Sequence, residues 1–159
     1  MPRLKKPFPN GKFDLKRGID FIGVTCVFVC HDGQGRFLLA KRSQHCRDEQ
    51  GHWDTGGGSH EFGTLLEDTV KREIKEEYGA TAFNLKFIKV YEAHRYLADK
   101  TPTHWVAVVY AAQVDPEDVK NNEPSKIDDI GWFTFNKLPK PLHSQIKHSL
   151  ISVHQAGII

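Results

Sequence analysis

The sequence predicts a mixed α/β (α+β) fold in which strands lie on both sides of one central amphipathic helix. Apolar residues recur every four positions at Leu66, Val70, Ile74 and Tyr78, which is typical of a helix with one buried face. Gly79 follows at once and is expected to end this helix of about fourteen residues. Apolar, β-branched runs before and after the helix are typical of strands.

The other elements follow from turn signals and periodicity. A hairpin is predicted from strand 19–30, a glycine-rich turn at 32–35 and strand 36–42. Further strands are predicted within 82–94, 103–114 and 128–135. A last helix is predicted at about 142–155, with one face formed by Leu142, Ile146, Leu150 and Val153.

The chain is expected to form one domain after a short basic arm. Residues 1–17 carry six Lys or Arg residues among three prolines, which predicts an irregular, solvated segment. Residues 18–159 contain no repeat and no linker. The predicted organisation is therefore an arm at 1–17 and a single domain at 18–159.

The central helix carries three carboxylates on one face. Glu73, Glu76 and Glu77 fall within about a third of the helix circumference at 100° per residue. Like charges at this spacing repel, and a hard divalent cation would remove the repulsion. An acidic face that is merely solvated is the alternative. Three preceding glycines at 56–58 favour a site, because they allow a phosphate chain to approach the backbone closely.

Gly58, Arg72, Glu73, Ile74, Glu76, Glu77 and Gly79 stand at the spacing of a known motif. The segment resembles the Nudix box, G-x5-E-x7-R-E-U-x-E-E-x-G-U, where U is a bulky apolar residue. Two positions depart from it, because Thr64 replaces the first glutamate and Ala80 is small for the last apolar position. Upstream, residues 53–57 resemble the family's W-x-x-P-G-G, with Thr55 and an added glycine disturbing the match. The resemblance implies an α/β/α sandwich with a curved mixed sheet and the box as loop, helix and loop.

The resemblance also implies the site residues and the cofactor. Mg²⁺, or Mn²⁺ in its place, is expected to bind Glu73, Glu76, Glu77 and Gly57. Glu76, Glu77 and Arg72 are the expected catalytic residues, although sequence alone does not separate metal ligand from general base. The residues expected to bind substrate are Lys41, Arg42, Gly57, Gly58 and Lys126. A further acid from outside the box is expected among Glu92, Glu123, Asp128 and Asp129.

Metal-dependent hydrolysis of a phosphoanhydride in a nucleoside tri- or diphosphate, or a related derivative, is the implied function. Family members accept nucleoside phosphates, dinucleoside polyphosphates, nucleotide sugars, ADP-ribose, coenzyme A and capped RNA. Glu123-Pro124-x-Lys126 with Trp132 resembles the subgroup that contains the MutT homologue and the thiopurine-nucleotide diphosphatases. The alternative is a catalytically weakened domain that binds a nucleotide or partner protein as a sensor or scaffold.

Thr64 supports two predictions that lead in different directions. As a neutral residue it cannot neutralise Arg72, which would then pair with Glu76 or Glu61, and the metal site would be less firmly held. As a helix N-cap, with Glu67 three residues later, it would complete a capping box and stabilise the helix.

Composition excludes several other classes. The formal charge of +2 gives no case for nucleic acid as a partner, and the apolar run at 21–30 is too short to span a membrane. A cytoplasmic location is expected, and a homodimer is left open as the assembly. Cys26 and Cys30 are predicted to be reduced core residues. The spacing of His31, His45, His52 and Cys46 matches no common zinc pattern, so no structural zinc site is predicted from it.

Overall fold

The computed structural model describes residues 14–159. Residues 1–13 of the predicted basic arm lie outside the described residues. Of the remainder, 14–16 belong to no helix or strand, and Arg17 forms an isolated bridge with Phe21.

Seven strands and two α-helices make up the described chain. The strands are β1 (Gly23–His31), β2 (Phe37–Arg42), β3 (Trp53–Asp54), β4 (Gly56–Ser59), β5 (Phe83–Tyr96), β6 (Pro102–Gln113) and β7 (Ile127–Phe133). The helices are α1 (Leu66–Tyr78) and α2 (Ile146–Gln155), and a single 3-10 turn covers Pro116–Asp118. The longer predicted strands and both predicted helices are present.

All seven strands belong to one mixed sheet. Its main order is β3-β2-β1-β6-β5, with β4 also paired to β1 and β7 also paired to β2. The central pair, β1 and β6, is parallel from Gly23 opposite Trp105 to His31 opposite Gln113, and the other pairs are antiparallel. A sheet with a parallel centre needs cover on both faces.

The two helices provide that cover. Val70, Ile74 and Tyr78 of α1 are buried in one core cluster with alternate residues of the sheet, among them Phe28 and Leu38. A second cluster contains the buried face of α2 with Val29, Phe37 and Leu39. Since successive strand residues point to opposite faces, the sheet lies between α1 and α2. The predicted α/β/α sandwich is confirmed.

The predicted hairpin forms only at its turn. β1 and β2 pair at a single position, His31 opposite Phe37. Further along, residues 25–28 of β1 pair with β4 instead, and β2 pairs along its length with β7. The two strands diverge because β1 pairs with β4, and β2 pairs with β7.

Two predicted helix starts are wrong. Helix α2 begins at Ile146 rather than at 142, because the backbone of 141–143 is bound to Trp53: Trp53 N donates to Pro141 O, and His143 N donates to Trp53 O. Leu142 packs on the second core cluster from outside the helix.

Thr64 is not the N-cap of α1, since Leu65 holds that position without a side-chain cap. The Thr64 hydroxyl instead donates to Glu61 O at 2.8 Å.

The predicted end of α1 is confirmed. Gly79 has a φ of 66°, in the left-handed region, and its N–H donates to Lys75 O at 3.0 Å. Lys75 Nζ in turn donates to Gly79 O at 2.8 Å. This end places the last turn of α1, with its carboxylates, against the sheet.

We expect Gly79→Ala to destabilise the fold by about 1–2 kcal/mol, the usual cost of placing a residue with a Cβ in the left-handed conformation. Gly79→Asn is the matched control and should cost less, because asparagine tolerates this conformation. Urea unfolding of the three proteins measures the difference. Equal stability of the alanine variant and wild type would contradict the strain argument.

Candidate active site

One large cleft, of about 600 Å³, lies where the glycine strand, the end of α1 and the sheet meet. Its wall includes Thr25 and Val27 of β1, Glu73 and Glu77 of α1, and residues of β2, β5, β6 and α2. Further wall comes from residues 45–48 and 54–59, from a segment that contains Glu123 and Lys126, and from His143 and Gln145. Segments from most of the chain's length thus converge on it.

The three predicted carboxylates of α1 all line the cleft, in different environments. The Glu73 side chain is 14% exposed, Glu77 is partly buried, and the Glu76 side chain is 55% exposed. Burial raises the pKa of Glu77 to about 8; repulsion from Glu73 adds to the rise, and a hydrogen bond from Gly57 N–H opposes it. Burial also raises the pKa of Glu73, against the pull of Arg72. Both carboxylates are therefore disfavoured as bare anions.

The glycines form strand β4 rather than a loop, which corrects the predicted phosphate-binding loop. They lie antiparallel to β1, with Gly58 opposite Cys26 and Gly56 opposite Phe28. A Cβ on Gly58 would lie 2.0 Å from the carboxyl carbon of Glu73, and one on Gly56 would lie 2.0 Å from the Phe28 ring. Glycine is needed here because helix and strand approach so closely, and that approach brings the carboxylates to the sheet.

Arg72 lies beside two of these carboxylates. Its Nη2 is 2.9 Å from Glu73 Oε1, and its Nη1 donates to Glu76 at 3.4 Å. Glu76 was one of the two partners predicted for Arg72, and it is in contact. The contact with Glu73 was not predicted. Nη2 is buried and has no hydrogen bond of acceptable geometry despite its closeness to Glu73. Thr64 does not supply one, since its hydroxyl bonds to Glu61 O, His60 and Thr69.

The cleft also contains a network of ion pairs that was not predicted from the sequence. Arg42 Nη2 donates to Asp48 Oδ1 at 2.7 Å, and Arg95 Nη2 lies 3.1 Å from Asp48 Oδ2. Arg95 also pairs with Glu49, whose carboxylate accepts hydrogen bonds from the backbone and side chain of Ser144 at 2.7 Å. This network joins four separate segments of the chain, so no local spacing pattern could reveal it.

Two buried titratable residues border that network. Burial raises the pKa of Asp54 to about 7, although Arg42 lies 3.7 Å away. Burial lowers the pKa of His143 to about 4, although Glu49 lies 3.3 Å away. A neutral His143 and a carboxyl group that is partly protonated at neutral pH can both hydrogen-bond to a polar ligand without adding charge.

The structure brings most of the predicted site residues together. Those that line the cleft are Arg42, Gly57, Gly58, Glu73, Glu76, Glu77 and Lys126. Lys41 does not line it, because Lys41 follows Phe37 and Leu39 on the other face of β2. Among the further acids considered, Glu123 lines the cleft and pairs with Lys126 at 2.7 Å, whereas Glu92, Asp128 and Asp129 do not line it. Glu61, the other partner predicted for Arg72, does not line the cleft either.

Trp105 and Trp132 also differ in whether they line the cleft. Trp105 lines the cleft, and the Arg47 guanidinium lies 5.8 Å from its ring centre. Trp132 packs against the core cluster under α1, with Arg36 over its ring at 5.7 Å. Trp105 is thus the one of the two that can contact a ligand in this cleft.

The donor set at the end of α1 fits a hard divalent cation. Three glutamates offer oxygen ligands. The pKa values of Glu73 and Glu77 are raised, because burial and repulsion from other carboxylates outweigh Arg72 at Glu73 and the Gly57 N–H at Glu77. Mg²⁺ and Mn²⁺ prefer carboxylate oxygen and retain several waters. Glu73, Glu76 and Glu77 would hold such an ion.

Comparison with known proteins gives the family. A model of the NUDIX domain matches residues 21–152. A NAD-capped RNA hydrolase NudC from Chromobacterium violaceum is 32% identical over 120 residues, which cover 74% of this chain and 41% of that protein. A NudC from Pectobacterium atrosepticum is 28% identical over 116 residues. The chain spans about two fifths of the length of these curated relatives.

Solved structures agree with the sequence comparison. A MutT NUDIX hydrolase from Burkholderia pseudomallei has a TM-score of 0.73 and 30% identity, covering 84% of this chain and 98% of that one. The NUDIX domain of Shewanella oneidensis NrtR, complexed with ADP ribose, has a TM-score of 0.67 at 20% identity, which shows the fold alone, and covers 94% of this chain and 92% of that one. With the domain model matched from β1 into α2 and the glutamates of the box gathered in one cleft, the chain belongs to the Nudix hydrolase family.

Proposed function

We propose that the protein hydrolyses a phosphoanhydride bond in a nucleoside tri- or diphosphate, or a related nucleoside diphosphate derivative, with Mg²⁺ or Mn²⁺ as its cofactor. The observation that carries the proposal is the gathering of Glu73, Glu76 and Glu77 in a cleft that also presents Lys126. A cleft of about 600 Å³ lies within the usual size of small-molecule sites.

Residues of the chain have separable tasks in this proposal. Glu73, Glu76 and Glu77 hold the cation, which when bound supplies charge neutralisation on the phosphates and lowers the pKa of water. Arg72 fixes the orientation of Glu73 and Glu76 through its contacts with both. Lys126 contributes positive charge for substrate phosphates. These roles are supported by position and by the family's motif.

The proton acceptor is proposed among three carboxylates. Glu76 and Glu77 belong to the box, and Glu123 lies in the same cleft from a different segment. Burial raises the pKa of Glu77 to about 8 in the metal-free protein, and a cation bound at Glu77 would lower it. Glu123 is paired with Lys126, whose Nζ lies 2.7 Å from Glu123 Oε1.

Names of the relatives support a substrate with a nucleoside diphosphate core. The curated relatives are named for NAD-capped RNA, and one structural neighbour is complexed with ADP ribose. The resemblance of 123–132 to the nucleotide-hydrolysing subgroup favours a nucleoside triphosphate or diphosphate, and that subgroup stays a prediction. Trp105 beside Arg47 offers a ring on which a base can stack.

A weakened domain that binds a nucleotide as a sensor is the second candidate. It is favoured by one observation: the buried Arg72 Nη2 lacks a well-directed hydrogen bond in a chain where Thr64 replaces the first glutamate of the box. Nucleotide binding without any turnover would support it. The retention of three clustered glutamates supports the enzyme instead.

Location and assembly remain predictions. No helix within residues 14–159 is long and apolar enough to cross a membrane. A cytoplasmic location and a homodimer are both still to be tested.

Glu76→Gln and Glu77→Gln should each abolish metal-dependent turnover, because each removes a ligand charge from the cation site. Wild type and variants are assayed on nucleoside tri- and diphosphates, ADP-ribose, NAD, a nucleotide sugar and NAD-capped RNA, with Mg²⁺ or Mn²⁺ and with chelator. Released phosphate and nucleotide products are measured.

Glu67→Gln is the matched control, since Glu67 is an exposed acid of the first turn of α1 and does not line the cleft. Its turnover should equal that of wild type. If the Glu76 and Glu77 variants hydrolyse every accepted substrate as fast as the control, the site assignment is wrong.

Thr64→Glu should raise turnover at a fixed, limiting Mg²⁺ concentration by up to about tenfold, the scale of effects from residues that orient metal ligands. The new carboxylate would supply the acceptor that the buried Arg72 Nη2 lacks. Thr64→Gln is the control, because it adds an acceptor of similar length without charge.

The Mg²⁺ dependence of kcat/KM and the Tm of all three proteins are compared. A Glu variant that keeps the wild-type Tm but shows no gain over Thr64→Gln would refute the idea that the missing acid limits the site.

A further inference from the structure

Two histidines and one glutamate meet on strands β5 and β6, outside the cleft described above. His94 lies directly opposite His104 in the antiparallel pairing of these strands, and Glu92 precedes His94 by two residues. Opposed residues of an antiparallel pair, and their diagonal neighbours, come within side-chain reach. The register alone therefore places these three side chains side by side.

These side chains belong to the face of the strands that points away from the cleft. Ala93 and Trp105, which are opposed to each other one residue further along, line the cleft. Because neighbouring residues of a strand point to opposite faces, His94 and His104 point away from it. None of the three residues lines the cleft that holds Glu73, Glu76 and Glu77, so the trio is a separate group.

The arrangement matches the donor set of a borderline divalent ion. One ligand atom from each residue lies within 4.8 Å of the other two, and Glu92 Oε1 lies 3.3 Å from His104 Nε2. The two imidazole ring centres are 4.2 Å apart. In a tetrahedral Zn²⁺ site with bonds of about 2.0–2.1 Å, two ligand atoms lie about 3.4 Å apart. Small side-chain rotations close the remaining gap.

The surroundings leave room for both that rotation and the ion. Glu92 and His94 are exposed and His104 is partly exposed, so little desolvation opposes binding. The contact of Glu92 with His104 is at the surface, where even a charged pair contributes little, so replacing it costs little. His94 and His104 also border a second cavity, of about 360 Å³, formed with residues 18–22.

We propose that Glu92, His94 and His104 form a second metal site, which takes Zn²⁺ through two imidazole nitrogens and one carboxylate oxygen and leaves a position open to water. Zinc accepts this mixed set, whereas Mg²⁺ prefers oxygen alone. Bound zinc would link β5 to β6 near residues 97–101, which connect the two strands. An ion that binds only the folded state raises its stability.

Zn²⁺ is titrated into metal-free protein and the bound equivalents are counted by equilibrium dialysis, with the Tm recorded in parallel. Since Zn²⁺ can also enter the glutamate site, the informative quantity is the difference between variants. His94→Gln and His104→Gln should each bind one equivalent fewer than wild type and lose part of the Zn²⁺-induced rise in Tm.

His154→Gln is the matched control, because His154 is an exposed histidine on α2 outside the trio. It should bind as many equivalents as wild type. Cobalt(II) offers a further readout, as the visible spectrum of the bound ion should lose its imidazole-ligated component in the His94 and His104 variants alone. The proposal is overturned if wild type and both variants bind the same number of zinc equivalents with the same rise in Tm.

Discussion

The close approach of α1 to the glycine strand β4 is the contact on which the site depends. The carboxyl carbon of Glu73 would lie 2.0 Å from any Cβ added at Gly58, and Glu77 Oε2 would lie 2.8 Å from one at Gly56. Only a strand without side chains lets the helix bring two carboxylates to the sheet at this distance. The cost of that approach is visible in the raised pKa values of Glu73 and Glu77. A positive ion between these carboxylates would stabilise their charged forms, and the same attraction would bind the ion.

Sheet topology holds this contact in place. Because β4 is paired to β1, and β1 is paired to β6 along its whole length, the glycines are tied to the centre of the sheet. Helix α1 is tied to the same strands through Val70, Ile74 and Tyr78 in the first core cluster. Gly79 ends the helix one residue after Tyr78 and turns the chain away. The carboxylates are thus positioned by packing and pairing of regular elements, which hold a site more firmly than loops do.

Local patterns predicted what local forces determine. The four-residue stripe and Gly79 predicted the body and the end of α1 correctly, and the spacing within the box predicted that its three glutamates share one cleft. Features set by distant pairing were missed. Strand β3 is only two residues long, and β4 consists of three glycines and a serine, so neither has a recognisable strand pattern. The start of α2 is delayed by the hydrogen bonds of 141–143 to Trp53. The directions of the Lys41 and Arg42 side chains were also not predictable from local sequence. A strand end was predicted correctly, but which of two adjacent side chains faces the cleft depends on the register with β7 and β3.

The charge distribution of the cleft explains why the proposed reaction needs a cation. Six acidic side chains line it, Asp48, Asp54, Glu73, Glu76, Glu77 and Glu123, against four basic ones, Arg42, Arg47, Arg95 and Lys126. Most of the positive charge is already paired, because Arg42 and Arg95 contact Asp48 and Lys126 contacts Glu123.

A diphosphate that entered this cleft on its own would meet repulsion from the glutamates of α1, and in a partly desolvated site that repulsion is strong. A divalent ion bound to those glutamates would reverse the sign of the local electrostatic potential and would create the attraction that the paired arginines cannot supply. In the proposed hydrolase, the same ion would therefore serve first to admit the substrate and then to promote its cleavage. A pure binding module would need fewer acids where its ligand's phosphates must lie, so the excess of carboxylates favours an enzyme.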